Sequence, residues 1–354
     1  MATHRSKPSA LHLVPCDGIG GVESAVRSMR YQVYDDIIFD VCFIASQDFT
    51  SADNPKANIN KRRPENNLSC YVKTLSYVYN RKPEVLIASL WRSYLIMIIY
   101  RVLRPRCRSV CFIHCSSSVH LADFCASIIS MAMAKEIWVD SHATLSSRIP
   151  ERWKHKSRII SYVLDRPRPV SFVAVEPKFL FWGRLSPQKG LSLALMIISE
   201  VRRHLPMVKF LIIGPDNGEK QNLSFLVKDL HLEDSVRFLG PKTRDEISAY
   251  ASQASFYLQP SLFEGMAVSV VEAMQLGLVP VVTPVGEIAH YCRDEQNALL
   301  IDSDNLSLTV HRILSVISSP ARYVFLRDRA ISTWCGSPLY RQDVINGCRE
   351  LLAS

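Results

Sequence analysis

The chain has 354 residues, 48% of them hydrophobic, which is more than one core of roughly 250–300 residues organises and points to two domains. The formal charge of +9 is unevenly spread: residues 1–171 hold 24 Lys and Arg against 14 Asp and Glu, and residues 172–354 hold 18 against 19. Ten cysteines without a C-x-x-C pair, several inside apolar runs, exclude a disulfide framework and read as reduced thiols.

In chain order, Arg5 and Lys7 precede only a few apolar residues before Pro15, too short a run for a signal peptide. Short apolar runs rich in β-branched residues follow at 11–14, 37–44, 85–88, 110–114 and 137–139, separated by longer helical patterns. Residues 47–67, with Lys61, Arg62 and Arg63 and few apolar side chains, read as a mobile loop. The longest apolar stretches, 85–100 and 124–134, are broken by Arg92 or shorter than the ~20 residues a membrane span needs. The helical pattern at 91–108 ends in Arg101, Arg104, Arg106 and Arg108. It suits a sheet-covering helix with an ordinary basic terminus and equally a face for anionic lipid headgroups. Cys107, Cys111 and Cys115 share one face of an extended strand, a spacing open to a metal site or to small core residues.

At Arg166-Pro167-Arg168-Pro169 the alternation stops and the charge shift begins, so a boundary is placed there, with domains 1–168 and 169–325. Apolar runs resume at 179–182, 208–213, 236–239, 256–258 and 279–282, and Gly or Pro stands at each C-terminal end. Continuous apolar strands alternating with helices predict an α/β protein with parallel sheets covered on both faces. Such sheets bind ligands at these strand ends. After Asp304 three helical patterns close the chain, and residues 326–354 are expected to pack back on the N-terminal domain.

The segment most suggestive of chemistry is Pro260-Ser-Leu-Phe-Glu264-Gly-Met-Ala-Val-Ser-Val-Val-Glu272, a strand end, a turn and a helix. A carboxylate beside helix N-terminal amides can accept sugar hydroxyls, while the amides of Gly265, Met266 and Ala267 suit phosphate oxygens. From spacing alone a capping Glu and a surface Glu fit equally well. Asp17-Gly18-Ile19-Gly20-Gly21-Val22-Glu23 follows a strand and opens a helix, as a simple turn or as a close approach of backbone to phosphate. Asp302-Ser303-Asp304 has the spelling of a D-x-D metal motif, but a position after the last strand reads as a helix cap.

The Glu264–Glu272 segment resembles the E-x7-E motif of retaining glycosyltransferase family 4, whose fold is GT-B: two Rossmann-like domains with parallel sheets facing a central cleft. Phe181-Trp-Gly-Arg184-Leu-Ser-Pro-Gln-Lys189-Gly190 is similar to the family's phosphate-binding segment, and the resemblance runs from Gly20 to about Asp302. It implies that Arg184 and Lys189 neutralise the donor diphosphate, that Glu264 contacts the transferred sugar and that Glu272 holds the ribose hydroxyls. It further implies that the Gly20-Gly21 turn closes over the phosphates and that the strand-end His114 lies near the donor sugar. Read without the family, Arg184 and Lys189 are solvated strand-end charges and His114 is a structural histidine. Two fixed cations stabilise a departing nucleoside diphosphate without a metal or a cofactor. The sequence departs from the family where Gly265-Met266-Ala267 replaces Gly-Phe-Gly, where Ser269-Val270 replaces Pro-Pro, and in the linker from Asp165.

These features imply a metal-independent, retaining glycosyltransferase acting from a UDP- or GDP-linked sugar on a glycan or lipid-linked acceptor, in surface polysaccharide or lipopolysaccharide biosynthesis. A cytoplasmic enzyme is expected, peripheral on an anionic membrane surface if the basic half finds a partner there. The alternatives are a nucleotide-sugar epimerase of the same fold and a non-catalytic basic binding protein. No nucleic-acid partner is expected, because the positive charge shows no aromatic interleaving or recognition motif.

Overall fold

The computed structural model of the protein describes residues 7–18, 20–30, 34–45, 49–50, 67–114, 120–171 and 174–354. They form two compact units, Met1–Leu164 with Pro338–Ser354 and Asp165–Ser337. The first unit is built on a seven-stranded sheet of β1 (Ser9–Val14), β2 (Ile38–Phe43), β3 (Phe49–Thr50), β4 (Val85–Ser89), β5 (Arg108–Ile113), β6 (Glu136–Val139) and β7 (Ser157–Ile159). Its spatial order is β3-β2-β1-β4-β5-β6-β7. Every pairing is parallel except that of the edge strand β3 with β2.

The second unit has six strands: β8 (Lys178–Trp182), β9 (Lys209–Ile213), β10 (Val236–Gly240), β11 (Phe256–Gln259), β12 (Val279–Val282) and β13 (Leu299–Leu300). They lie in the order β10-β9-β8-β11-β12-β13, all parallel. Every residue of β4, β11 and β12 is buried, as an apolar strand covered on both faces must be. All ten apolar runs read from the sequence are strands. β3, β7 and β13 escape that reading because they have only two or three residues; β7 is Ser-Arg-Ile.

Both sheets wind alike. From β1 the chain steps outward to β2 and then returns to place β4 on the other side of β1; β8, β9 and β11 repeat the move. The strand ends at β1/β4 and β8/β11 are therefore topological switch points, where neighbouring loops diverge and leave a crevice. Helices Trp91–Leu103 and Leu121–Met133 connect β4 to β5 and β5 to β6. Successive crossovers in one direction with one hand put both on the same face, where they pack side by side.

The unit boundary falls just before the Arg-Pro repeat, at Leu164. The expected return of residues 326–354 to the first domain is corrected: helix Pro320–Thr333 belongs to the second unit, and only Pro338–Ser354 joins the first. The reason lies in its apolar face. Tyr323, Leu326 and Ala330 are buried against β12 and helix Val268–Leu276, and the Tyr323 hydroxyl donates to the Ser255 carbonyl at 3.1 Å. Helix Tyr340–Ala353 instead sets Tyr340 edge-on to Tyr162, with ring centres 5.2 Å apart, and its Asp343 accepts from the Ser161 amide at 2.8 Å.

Of the loop read at 47–67, only 49–50 and Asn67 are described, and Asn67 caps helix Leu68–Arg81 through the Ser69 amide. The described cysteines are free. Cys111 is buried and its thiol pKa is raised by desolvation; Cys115 lies outside the described residues. Among the described residues no group of three or more His, Cys, Asp or Glu could hold a metal ion. Nor, among the described residues, is any helix long and apolar enough to cross a membrane. Asp302 acts as a turn former, accepting the amides of Asp304 and Asn305 at 3.0 Å ahead of helix Leu306–Ile317.

Candidate functional site at the second switch point

The segments leaving β8 and β11 meet at the switch point of the second sheet. After β8, a single 3-10 turn (Pro187–Lys189) is closed by Gly190 at φ 63°, and the Leu262 amide donates to the Gln188 carbonyl at 2.8 Å. A Cβ on Gly190 would stand 1.9 Å from the Pro260 carbonyl oxygen, and one on Gly286, at φ 54°, 2.0 Å from that of Glu264. Only glycine combines a left-handed backbone with such an approach. The two glycines therefore clamp both ends of the turn from Pro260 to Glu264.

This clamp fixes Glu264, which is 6% exposed. Its Oε1 accepts from Lys189 Nζ at 2.6 Å, Ser261 Oγ at 2.7 Å and Gln259 Nε2 at 3.1 Å. Lys189, too, is largely buried. A carboxylate taken out of water needs such donors, because desolvation of an unpaired charge costs several kcal/mol. The chain of bonds continues inward: Gln259 Oε1 accepts from Tyr257 Oη at 2.7 Å and from Ser269 Oγ at 2.8 Å. Burial raises the Tyr257 pKa well above its ordinary value and keeps it a donor. Oε2 of Glu264 takes no hydrogen bond among the described residues.

Helix Val268–Leu276 begins directly after the Gly265-Met266-Ala267 run, so Glu272 stands little more than one turn into it. Ala267 is the N-cap at φ 52°, a left-handed conformation where the family's glycine would sit without strain. The amides of Gly265, Met266 and Ala267 donate to no acceptor among the described residues, whereas the Gly265 carbonyl accepts from Glu287 and the Met266 carbonyl from Tyr291 Oη. Three free N–H groups at a helix start, with the helix dipole behind them, favour an anion.

Glu272 is held from two sides. Trp182 Nε1, at the end of β8, donates to Oε2 at 3.0 Å, and Arg244 Nη2 donates to Oε1 at 2.7 Å. Trp182 is itself wedged edge-on against Tyr257, ring centres 4.4 Å apart. Arg184 is exposed, and its guanidinium meets no acceptor among the described residues. Of the residues singled out in the sequence, Lys189 and Glu264 are in direct contact. Glu272, Arg184 and the three amides belong to the same strand-end region. Gln259, Ser261, Trp182 and Arg244 were missed. Ser261 lay inside the quoted segment, but nothing in the sequence marks Arg244, which is brought in by the start of helix Arg244–Ala251.

The remaining candidates sit at the switch point of the first sheet. His114, just past β5, is 6% exposed; its Nε2 bonds Ser89 Oγ at 2.8 Å and its Nδ1 the Tyr162 hydroxyl at 2.8 Å. Ser89 Oγ also meets His12 Nε2 at 2.7 Å. Desolvation drives His12 down to about 3 and His114 well below its ordinary value, His12 adding to the latter, so both imidazoles are neutral at pH 7. Gly20 caps helix Gly21–Arg27 with an extended backbone, and the preceding turn is tied down by Arg27, which bonds both Asp17 and the Gly18 carbonyl.

Residues 168–332 match the family model described as glycosyl transferases group 1. The chain is 30% identical over 149 residues to an uncharacterized glycosyltransferase of Haemophilus influenzae, covering 42% of this chain and 41% of that one. It is 22% identical over 135 residues to a GDP-mannose:cellobiosyl-diphosphopolyprenol alpha-mannosyltransferase of Xanthomonas oryzae pv. oryzae, covering 38% and 36%. It spans about two fifths of the length of the curated relatives it matches. Among solved structures, that of HepE from Anabaena in complex with UDP and glucose superposes with a TM-score of 0.77 at 16% identity, over 97% of this chain and 100% of that one. The likeness extends over both units, and the expected α/β fold of two Rossmann-like, GT-B type domains is the one found. The matched residues 168–332 lie within the second unit and include the clamped Glu264 and its partner Lys189.

Proposed function

We propose that the protein moves a sugar from a UDP- or GDP-linked donor to a hydroxyl of a glycan or lipid-linked acceptor, retaining the anomeric configuration. We place it in surface polysaccharide or lipopolysaccharide assembly. The observation that carries this reading is the pairing of the largely buried Lys189 with Glu264, next in sequence to three amides that have no acceptor among the described residues. The diphosphate accepts from those amides, from Arg184 and from the two N–H bonds of Lys189 that Glu264 leaves unused. Oε2 of Glu264 takes a sugar hydroxyl. Glu272 uses one lone pair on each oxygen for Trp182 and Arg244 and offers the others to the ribose.

As the bond from the anomeric carbon to the diphosphate oxygen breaks, negative charge grows on the leaving group, and cations fixed in advance stabilise that charge more than they stabilise the bound donor. The acceptor oxygen bonds the anomeric carbon on the same face, and its proton passes to the departing phosphate oxygen. Catalysis therefore asks no metal or separate base of the residues named here. The relative named for GDP-mannose and the structural neighbour solved with UDP and glucose support a nucleotide-sugar donor and leave its base as either.

The test is a panel of nucleotide sugars with purified protein, following nucleotide release with and without glycan or lipid-linked acceptors and reading the product's anomeric configuration by NMR. Acceptor-dependent release, lost in Glu264→Gln, is expected. Donor conversion to another sugar without acceptor would instead establish an epimerase, and no turnover or thermal shift with any donor would remove the enzymatic reading.

A further inference from the structure

Helix Trp91–Leu103 turns its inner side to the first sheet, burying Ser93, Tyr94, Ile96, Met97 and Tyr100. Its outer side should then be polar, as on most surface helices. It is not. The exposed positions Leu95, Ile99, Val102 and Leu103, spaced i, i+4, i+7, i+8, form one apolar stripe, with Val102 70% exposed. The neighbouring helix Leu121–Met133 repeats the anomaly. Leu121, Phe124 and Ile129 are exposed, at 76%, 51% and 48%, and the only charged residue of that helix, Asp123, is buried. Two adjacent helices on one face of the sheet thus present hydrocarbon outward. Contiguous exposed apolar surface of this kind marks an interaction site.

The rim of this face is basic. Arg101, Arg104 and Arg106 stand at the end of the first helix and Lys135 just past the second, while between residues 68 and 135 the acidic residues are Glu84 and Asp123 alone. Arg101 is committed to the Pro105 and Cys107 carbonyls and Arg104 lies over the Tyr79 ring, but Arg106 is exposed. We infer that this face docks on an anionic lipid bilayer, its apolar stripes sinking among the acyl chains while the arginines and Lys135 pair with headgroup phosphates. Hydrocarbon beside cations is the combination that interfacial binding needs. A second copy of the chain is the poorer occupant, because a two-fold contact sets each patch against itself and brings the same cations face to face. The inference does not rest on sugar transfer: it concerns where the first unit sits.

The experiment is flotation of the full chain with vesicles of phosphatidylcholine alone and of phosphatidylcholine with phosphatidylglycerol. Wild type should float only with the anionic vesicles and detach as salt rises. Ile99→Asp with Val102→Asp, Phe124→Asp, and Arg104→Glu with Arg106→Glu should each weaken binding by about tenfold or more. They should leave the melting temperature, and nucleotide release to a water-soluble acceptor, as in wild type. Should a variant fold poorly, hydrogen exchange on wild type gives the same answer: the anionic vesicles should protect peptides covering residues 91–103 and 121–133. Absence of both flotation and protection would overturn the inference. So would flotation equal on both vesicles or untouched by every variant, or a concentration-dependent dimer that the variants abolish.

Discussion

Replacing Lys189 with Met leaves Glu264 Oε1 with Ser261 and Gln259 as its remaining donors, in a pocket where the carboxylate is 6% exposed. Removing one partner of a buried ion pair costs about 3–5 kcal/mol, and the two surviving hydrogen bonds place this case at about 3. Glu264→Gln is milder, about 1–2 kcal/mol, because Lys189 can swing its ammonium toward water while the amide oxygen still accepts. The double variant should recover about 1–3 kcal/mol of the summed loss, since neither charge is then left alone. Urea unfolding of all four proteins, with hydrogen exchange on peptides covering 178–190 and 256–276 to isolate the second unit, measures the cycle. Coupling below about 0.5 kcal/mol would refute the claim that the two residues form one buried pair. In the transfer assay Glu264→Gln should lower kcat by about a hundredfold or more even where stability is nearly restored, as loss of a charge at the reacting centre does.

Three further outcomes follow from other contacts. His12 has a folded pKa of about 3 against roughly 6.5 unfolded, so the unfolded chain binds the extra proton. Its contribution is therefore intact above pH 6.5 and lost as pH falls from there toward 3, by about 1.4 kcal/mol between pH 7.5 and 5.5. His114 adds in the same direction. Hydrogen exchange of residues 9–14 should show that pH slope in wild type and a shallower one in His12→Gln; equal slopes would mean that His12 is protonated in the folded state. Gly190→Ala should cost more than about 2 kcal/mol, from the left-handed φ and the collision with the Pro260 carbonyl, and should show as a lower urea midpoint with accelerated exchange at 256–264. Arg244→Ala removes an exposed partner of Glu272, so stability should change by less than about 1 kcal/mol. The KM for the donor should move with kcat nearly constant if Glu272 binds ribose; an unchanged KM argues against that role.

Much of the fold was legible because the inner strands of each sheet are parallel and buried on both faces, which forces apolar runs into the sequence at 85–88, 256–258 and 279–282. The boundary near Arg166-Pro167 was legible for a similar local reason, two prolines that deny regular pairing. The part of helix Pro320–Thr333 from Leu326 onward was assigned to the wrong unit, because periodicity shows that a helix has an apolar face and says nothing about which sheet receives it. At the site, Lys189, Glu264 and Glu272 were visible as motif residues. Trp182 and Arg244, the partners of Glu272, were not, since contact between residues 90 and 28 positions apart along the chain is created only by the crossover order of the sheet.

By itself, then, the sequence determined the two α/β units, the strand ends where ligands can bind and the polar residues placed there, because hydrophobic period, turn glycines and helix starts are local properties of the chain. Tertiary structure decided what those residues are. It buried Lys189 onto Glu264, made His114 a neutral imidazole with both nitrogens engaged, and turned Leu95, Ile99 and Val102 outward where the same apolar pattern would serve a covered helix equally well. Burial, charge state and exposure depend on what packs against a side chain, and that is set by elements far away in sequence.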